Sequence, residues 1–303
     1  MSEHRYDVII IGGSYSGLSA AMALGRSRRN VLVIDAGNPC NKSTPYSHNF
    51  LTQDGVPPQV ISNIAKDQVL AYPTIQWQDG RVCNILGNNE AFETAMDGGK
   101  KVMARKVILA TGLKDVLPEI AGFKECWGKT IIHCPYCHGY EFRDQKTGIF
   151  VAASQAFEMV KLISNWTNDL KVFLSDNEKL SEEHRHVILG KGVQIISQPI
   201  HEAVHQDGIL SHLTMADNST EQIKALYARV PTEQKISFLN KMGCTMTESG
   251  HIETDMFGKT TVEGVYAVGD CSHPMRSVAT AVYTGNIAGA MINKELIEES
   301  YCN

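Results

Sequence analysis

Two cysteines two residues apart, Cys134 and Cys137, lie in the stretch His133-Cys134-Pro135-Tyr136-Cys137-His138-Gly139-Tyr140-Glu141. A pair at this spacing can close a small disulfide, and Pro135 suits the first position of a helix, where its missing N–H is no loss. A helix starting there turns its positive end toward Cys134 and lowers the pKa of that thiol, which makes a nucleophile available near neutral pH. Imidazoles on both flanks, His133 and His138, can carry the proton. The stretch reads as a redox dithiol.

Three plainer readings compete with it. Structural zinc needs a second ligand pair, whereas Cys40, Cys83, Cys126, Cys244, Cys271 and Cys302 are scattered singly, so no metal is expected. A purely structural bridge across two residues closes almost no loop and stabilises little. Cys-Pro-Tyr-Cys is also the tetrapeptide of glutaredoxins, but those are short domains with the motif near the start. Here it sits at the middle of 303 residues.

That length is comfortable for two domains. Apolar residues make up 43% and charged residues 20%, an ordinary globular composition. With 28 basic against 33 acidic residues the net charge is -5, and no basic block tracks a phosphate backbone, so nucleic acid is not an expected partner. The apolar run Val8–Ile11 is far too short for a leader or a membrane span. The cytoplasm is the expected compartment, and eight cysteines without a regular framework fit its reducing conditions.

The elements that must position the dithiol begin with Tyr6-Asp7-Val8-Ile9-Ile10-Ile11-Gly12-Gly13-Ser14-Tyr15-Ser16-Gly17. A strand buried on both faces runs into a small-residue turn that opens a helix at Leu18, the first β-turn-α of a dinucleotide fold. Gly12 permits the turn and Gly17 lets helix and strand pack closely, while Ser14 stands where the fingerprint has its middle glycine. A second buried strand, Val31–Ile34, ends in Asp35, whose carboxylate can accept the hydroxyls of an adenosine ribose. Asn38–Pro58 is predicted to be a long irregular segment of the kind that covers a ligand. Ile61–Leu70 reads as a short amphipathic helix, Gln76–Ile85 as a strand turning at Asp79-Gly80, and Lys106–Ala110 as a buried strand that runs to Thr111 and Gly112. Near the far end, Gly264–Val268 forms another that ends at Gly269-Asp270. A small-residue helix follows Arg276-Ser277-Val278-Ala279. Asp270 can bond a ribityl or phosphate hydroxyl, or simply cap that helix.

Together the Gly12–Gly17 turn, Ala110-Thr111-Gly112, the central Cys134-Pro135-Tyr136-Cys137 and Tyr266-Ala267-Val268-Gly269-Asp270 resemble the low-molecular-weight thioredoxin reductase family of flavoproteins, over nearly the whole chain. Cys-Pro-Tyr-Cys-His-Gly-Tyr-Glu is most similar to the branch of gliotoxin- and holomycin-type dithiol oxidases. The resemblance implies an α/β fold of two Rossmann-like domains, the second inserted into the first, in a homodimer. Residues 1–116 and 229–303 would hold FAD, and residues 117–228 would be the NAD(P)-binding-like insert carrying the dithiol. It implies that Cys137 lies against the flavin and Cys134 exchanges disulfides with substrate. Implied FAD contacts are Gly12, Gly13, Ser14, Ser16, Gly17, Asp35, Asn49, Val82, Ala110, Thr111, Gly112, Gly269, Asp270, Arg276, Ser277, Val278 and Ala279.

Two departures stand out. The family's reductases place an acid after the second cysteine, where this chain has His138; acid–base work is expected first of His138, then of His133 or Glu141. In the insert, Val151 and Ala153 replace two glycines of the turn, and Ser175-Asp176-Asn177 replaces the basic cluster for the NADPH 2′-phosphate. Added Cβ atoms block a pyrophosphate and an acid repels a phosphate. The expectation is an FAD-dependent thiol-disulfide oxidoreductase without NADPH. Either a small dithiol reduces it and oxygen takes the electrons, or a ferredoxin-type donor drives reduction of a thioredoxin-like partner. The alternatives are a conventional NADPH-dependent thioredoxin reductase and a non-catalytic FAD-bound redox sensor.

Overall fold

A computed structural model describes residues 5–176 and 178–302. The chain opens with β1 (Arg5–Ile11), α1 (Tyr15–Arg26), β2 (Val31–Asp35), α2 (Pro58–Leu70) and β3 (Ile75–Asp79). Then come β4 (Val82–Asn88), β5 (Ala91–Met96), β6 (Lys101–Leu109) and β7 (Leu113–Asp115). The middle of the chain supplies α3 (Phe123–Cys126), β8 (Ile131–Ile132), α4 (Pro135–His138), β9 (Thr147–Val151), α5 (Ala153–Ile163), β10 (Leu170–Leu174) and α6 (Glu182–Gly190). It continues through β11 (Gln194–Ile196), β12 (Ile200–Gln206), β13 (Ile209–Met215), β14 (Thr220–Glu221) and β15 (Ala225–Ala228). The last elements are β16 (Thr232–Gln234), α7 (Leu239–Met242), β17 (Val265–Ala267) and α8 (Val278–Cys302).

Two compact units result, one from residues up to Lys42, Gln59–Lys114 and Thr232 onward, the other from Ser43–Pro58 and Asp115–Pro231. Ser43–Pro58 therefore groups with the insert, whereas the sequence placed it in the first domain. Its reason is contact: a Cβ on Gly128 would lie 2.6 Å from Ser43 Oγ, and His48 pairs with Glu141.

In the first unit the sheet runs β3-β2-β1-β6-β5-β4, with β17 beside β6. β1 is central, parallel to β2 and β6. Its continuous apolar run is explained by burial on both faces: Ile9 and Ile11 join one core, Val8 and Ile10 the other. The strand predicted over 76–85 is two strands, β3 and β4. β3 pairs parallel with β2 while β4 pairs antiparallel with β5, and Gly80 at φ +151° separates them. Lys106, on β6, is fully buried. Its ammonium is taken up by Asn89 at 2.7 Å, Glu295 at 2.7 Å and Glu299, the last two projecting from α8. α8 in turn lies close on α1, where a Cβ on Gly285 would stand 2.1 Å from Ser16 O.

The second unit has a parallel sheet β11-β10-β9-β15-β8 and an antiparallel sheet β12-β13-β14. Cys134 follows the end of β8, at the carboxyl edge of a parallel sheet, where open α/β folds place their ligands. β7 and β16, where the chain passes from one unit to the other in sequence, pair with each other. Among the described residues no helix is long and apolar enough to cross a membrane.

Candidate active site

Cys134 and Cys137 form a disulfide with Cα atoms 5.3 Å apart. Cys134 is the N-cap of α4, with extended backbone and Pro135 at the first turn, and its Sγ accepts the N–H of Cys137 at 3.1 Å. The helix is a single turn of four residues, so its dipole is small; the direct N–H bond is what favours negative charge on Cys134. Both cysteines are half-buried. Tyr136 stands edge-on to Trp166 with centroids 5.6 Å apart, and Gly139 packs so closely that a Cβ would meet Trp166 Nε1 at 2.9 Å. These contacts fix the turn that carries the sulfurs.

The flanking histidines differ. His133 is exposed and stacks on Trp127, with centroids 6.0 Å apart. His138 is half-buried, and burial first, then the nearby His48, push its pKa down to about 4. Sequence reasoning expected an imidazole titrating near the operating pH. Instead the ring is neutral at pH 7, a proton acceptor rather than a donor, because burial disfavours the imidazolium. His48 and Asp54 belong to this neighbourhood and were missed; they lie in a stretch with no spacing signal. Glu141 Oε1 is 3.6 Å from His48 Nε2.

In the first unit Gly12 has φ +108°, and a Cβ there would stand 2.3 Å from Ala110 O; a Cβ on Gly17 would stand 1.9 Å from Gly12 O. Asp35 Oδ1 accepts the N–H of Gly13 at 2.9 Å and Oδ2 that of Gly37 at 3.2 Å. Ser14 is the N-cap of α1 but its side chain makes no capping bond, so the cap side chain does not occupy the positive helix end that favours an anion. Ala110 N–H bonds Ile11 O at 2.8 Å, and a Cβ on Gly269 would stand 2.6 Å from Ser16 Oγ. Thus the Gly12–Gly17 turn, Asp35, Ala110 and Gly269 meet at one end of the sheet, and Thr111 and Gly112 (φ +64°) continue from Ala110. Thr284, unnoticed in the sequence, accepts the N–H of Gly269 at 3.0 Å. Ser277 Oγ caps α8 by accepting the N–H of Thr280 at 3.1 Å, and Asp270 Oδ2 pairs with Arg276 Nε at 3.4 Å, just ahead of Val278 and Ala279. Val82 buries its side chain in the core, so only its main chain can face a ligand. Asn49 belongs to Ser43–Pro58, and its N–H goes to Asp54 Oδ1 at 2.8 Å.

The second βαβ turn is built differently. Val151 and Ala153, at the glycine positions, are buried, Val151 wholly so. Asp176 sends both carboxylate oxygens to the N–H of Ala153, each at 3.2 Å. Asn177 lies outside the described residues. Among the described residues, no three His, Cys, Asp or Glu side chains gather as a metal site.

A family model for pyridine nucleotide-disulphide oxidoreductases matches residues 6–285. The chain belongs to this family. Thioredoxin reductase sirT of Leptosphaeria maculans is 32% identical over 95% of this chain and 93% of its own. Among solved structures, an oxidoreductase from Agrobacterium tumefaciens is 36% identical with a TM-score of 0.91, covering 97% of this chain and 99% of its own. HlmI is 31% identical with a TM-score of 0.93, covering all of this chain and 96% of its own. The resemblance read from the motifs, to thioredoxin reductase-like flavoproteins, and the fold of two Rossmann-like domains both hold.

As a member of this family the chain is a flavoprotein oxidoreductase, and its cofactor is FAD. The first unit fits that group: a turn whose Cβ-free positions keep the loop tight, an uncapped helix start and an oriented carboxylate are the donor and acceptor set of an adenine dinucleotide.

Proposed function

We propose that this flavoprotein oxidises a small dithiol through Cys134 and Cys137, without NADPH, with oxygen as the final acceptor. The observation that carries the reading is the second βαβ turn. Val151 and Ala153 fill with core side chains the space a pyrophosphate needs, and the Asp176 carboxylate holds the N–H of Ala153, so a phosphate meets Cβ atoms and negative charge. The branch resemblance supports the same direction of electron flow. A ferredoxin-type donor feeding a thioredoxin-like partner is the other route open to such a chain.

In this reading the first unit, without Ser43–Pro58, holds FAD through the Gly12–Gly17 turn, Asp35, Ala110–Gly112 and Gly269–Ala279, the second unit carries the dithiol, and the protein works as a homodimer. One substrate thiol loses its proton to the neutral His138 ring and attacks Cys134 Sγ. The Cys134–Cys137 bond breaks and Cys137 leaves as a thiolate. The second substrate thiol then attacks the mixed disulfide at the substrate sulfur, releasing oxidised substrate, and the Cys134 sulfur, leaving beside the N–H of Cys137, takes that thiol's proton. Two electrons and the substrate's two protons have then passed to the protein. FAD held by the first unit would supply the two-electron acceptor for the reduced Cys134/Cys137 pair, and the electrons and the substrate's two protons would leave together on oxygen as hydrogen peroxide.

Anaerobic titration of the yellow protein tests this. Dithiothreitol should bleach the flavin in the parent and not in Cys134→Ser or Cys137→Ser, and NADPH should leave it oxidised. Prompt bleaching by NADPH would return the chain to the conventional reductases. Turnover by the serine variants at the parent rate would make the dithiol a sensor instead.

A further inference from the structure

Ser43–Pro58 holds a side chain that neither the dithiol motif nor the nucleotide turn accounts for. Its ends are tied to one another: Ser47 N–H bonds Val56 O at 2.9 Å and Gly55 N–H bonds Ser47 O at 2.8 Å. Inside the loop, Asp54 Oδ1 holds the N–H of Asn49. Asn49, Thr52 and Gly55 have φ of 59°, 73° and 76°. Glycine and asparagine tolerate that conformation, but a β-branched threonine does not, and such strain persists only where the surroundings over-determine it.

What this rigid loop presents is His48. Its Nδ1 lies 3.6 Å from Asp54 Oδ1 and its Nε2 lies 3.6 Å from Glu141 Oε1, with the ring only 21% exposed. Glu141 follows His138 by three residues in the dithiol segment. His48 is close enough to His138 to oppose its protonation. Tyr227 of β15 also lies within reach of the Glu141 charge. Its buried hydroxyl has no hydrogen-bond partner, and burial and then the charge of Glu141 raise its pKa, so it stays a neutral hydroxyl.

We propose that His48 is a positioning residue of the dithiol centre: clamped between Asp54 and Glu141, it sets the orientation and the charge surroundings of His138, and so the rate at which a substrate thiol yields its proton as its sulfur attacks Cys134. The inference rests on the dithiol-oxidase reading. In the step it governs, the substrate S–H bond breaks with the proton going to a His138 ring nitrogen. The new S–S bond to Cys134 forms, and Cys137 departs with the electron pair of the old one. The Asp54 and Glu141 carboxylates on either side hold the His48 ring in its place near His138.

The test has two readouts on the FAD-loaded protein. Stopped-flow bleaching by dithiothreitol at pH 7 should slow about tenfold in His48→Gln, less than the 10²–10⁴ that loss of the base itself costs, because His138 remains. In the oxidised protein, the titration midpoint of the His138 ring, followed by NMR of labelled histidine, should rise in the same variant. Glu141→Gln, which releases one side of the clamp, should slow bleaching in the same sense and covers the case in which His48→Gln does not fold. Unchanged rates in both variants would overturn the proposal. So would a slower rate with an unmoved His138 midpoint, the mark of a merely structural role. If dithiothreitol fails to bleach the parent, it is the oxidase reading that falls, and the His138 midpoint still reports on His48.

Discussion

The neutral His138 predicts a pH dependence of stability that one substitution removes. Folding lowers the pKa of the ring from 6.5 to about 4. Above pH 6.5 the ring is neutral in the folded and unfolded chain alike, and its full contribution to stability is present. Between 6.5 and about 4 the unfolded chain binds a proton that the folded chain refuses, so stability falls as pH falls. Each pH unit costs about 1.4 kcal/mol, and the span from 6.5 to about 4 gives a ceiling of roughly 3 kcal/mol, reached near pH 4. His138→Gln removes the titration and keeps a polar side chain of similar reach. Urea unfolding of parent and variant, with the disulfide intact, should give stability curves parallel above pH 7 that converge by up to that amount between pH 6.5 and 4. Parallel curves throughout would mean the ring is not held neutral by burial, and its role as proton acceptor would lose its physical basis.

Two further outcomes follow from the first unit. Lys106→Ala should destabilise the protein by about 3–5 kcal/mol in urea unfolding, because it leaves Glu295 and Glu299 without their buried cation. A Gly17→Ala protein should lose FAD on gel filtration with at least a tenfold weaker retention. The new Cβ meets Gly12 O at 1.9 Å, and moving that turn forfeits at least one charge-assisted hydrogen bond to phosphate, about 1.5–3 kcal/mol.

What the sequence made legible is what local patterns encode. The runs Val8–Ile11 and Val31–Ile34 announced strands buried on both faces, and the Gly12–Gly17 turn announced a nucleotide loop. Periodicity also located the α2 helix, found at Pro58–Leu70. The irregular stretch 38–58 was harder. Nothing in a loop of Asn, Ser, Thr and Pro tells which unit it will join, and its place was decided by contacts far along the chain, Ser43 against Gly128 and His48 against Glu141. The Gln76–Ile85 strand failed for a related reason. A glycine inside a strand pattern can mark a bend or an end, and only pairing with β2 on one side and β5 on the other decided for an end. The pKa of His138 was invisible because burial is a tertiary property.

The two βαβ turns carry one device to opposite ends. Each places a carboxylate at or just past the end of its second strand and bonds it to an N–H of its own turn: Asp35 to Gly13 in the first, Asp176 to Ala153 in the second. The acid alone therefore does not decide whether a dinucleotide binds. What differs is the turn itself. Gly12 and Gly17 are positions where any Cβ would strike backbone oxygen, so the first turn must stay small and its helix start stays open. Val151 and Ala153 are buried within the second unit's own packing, and a side chain already buried in the core cannot yield its space to a phosphate without leaving a cavity. On the proposed reading, glycines at 151 and 153 are therefore the first requirement for a second nucleotide site, since the Asp35 bond to Gly13 accompanies a nucleotide turn and the Asp176 bond to Ala153 is its counterpart.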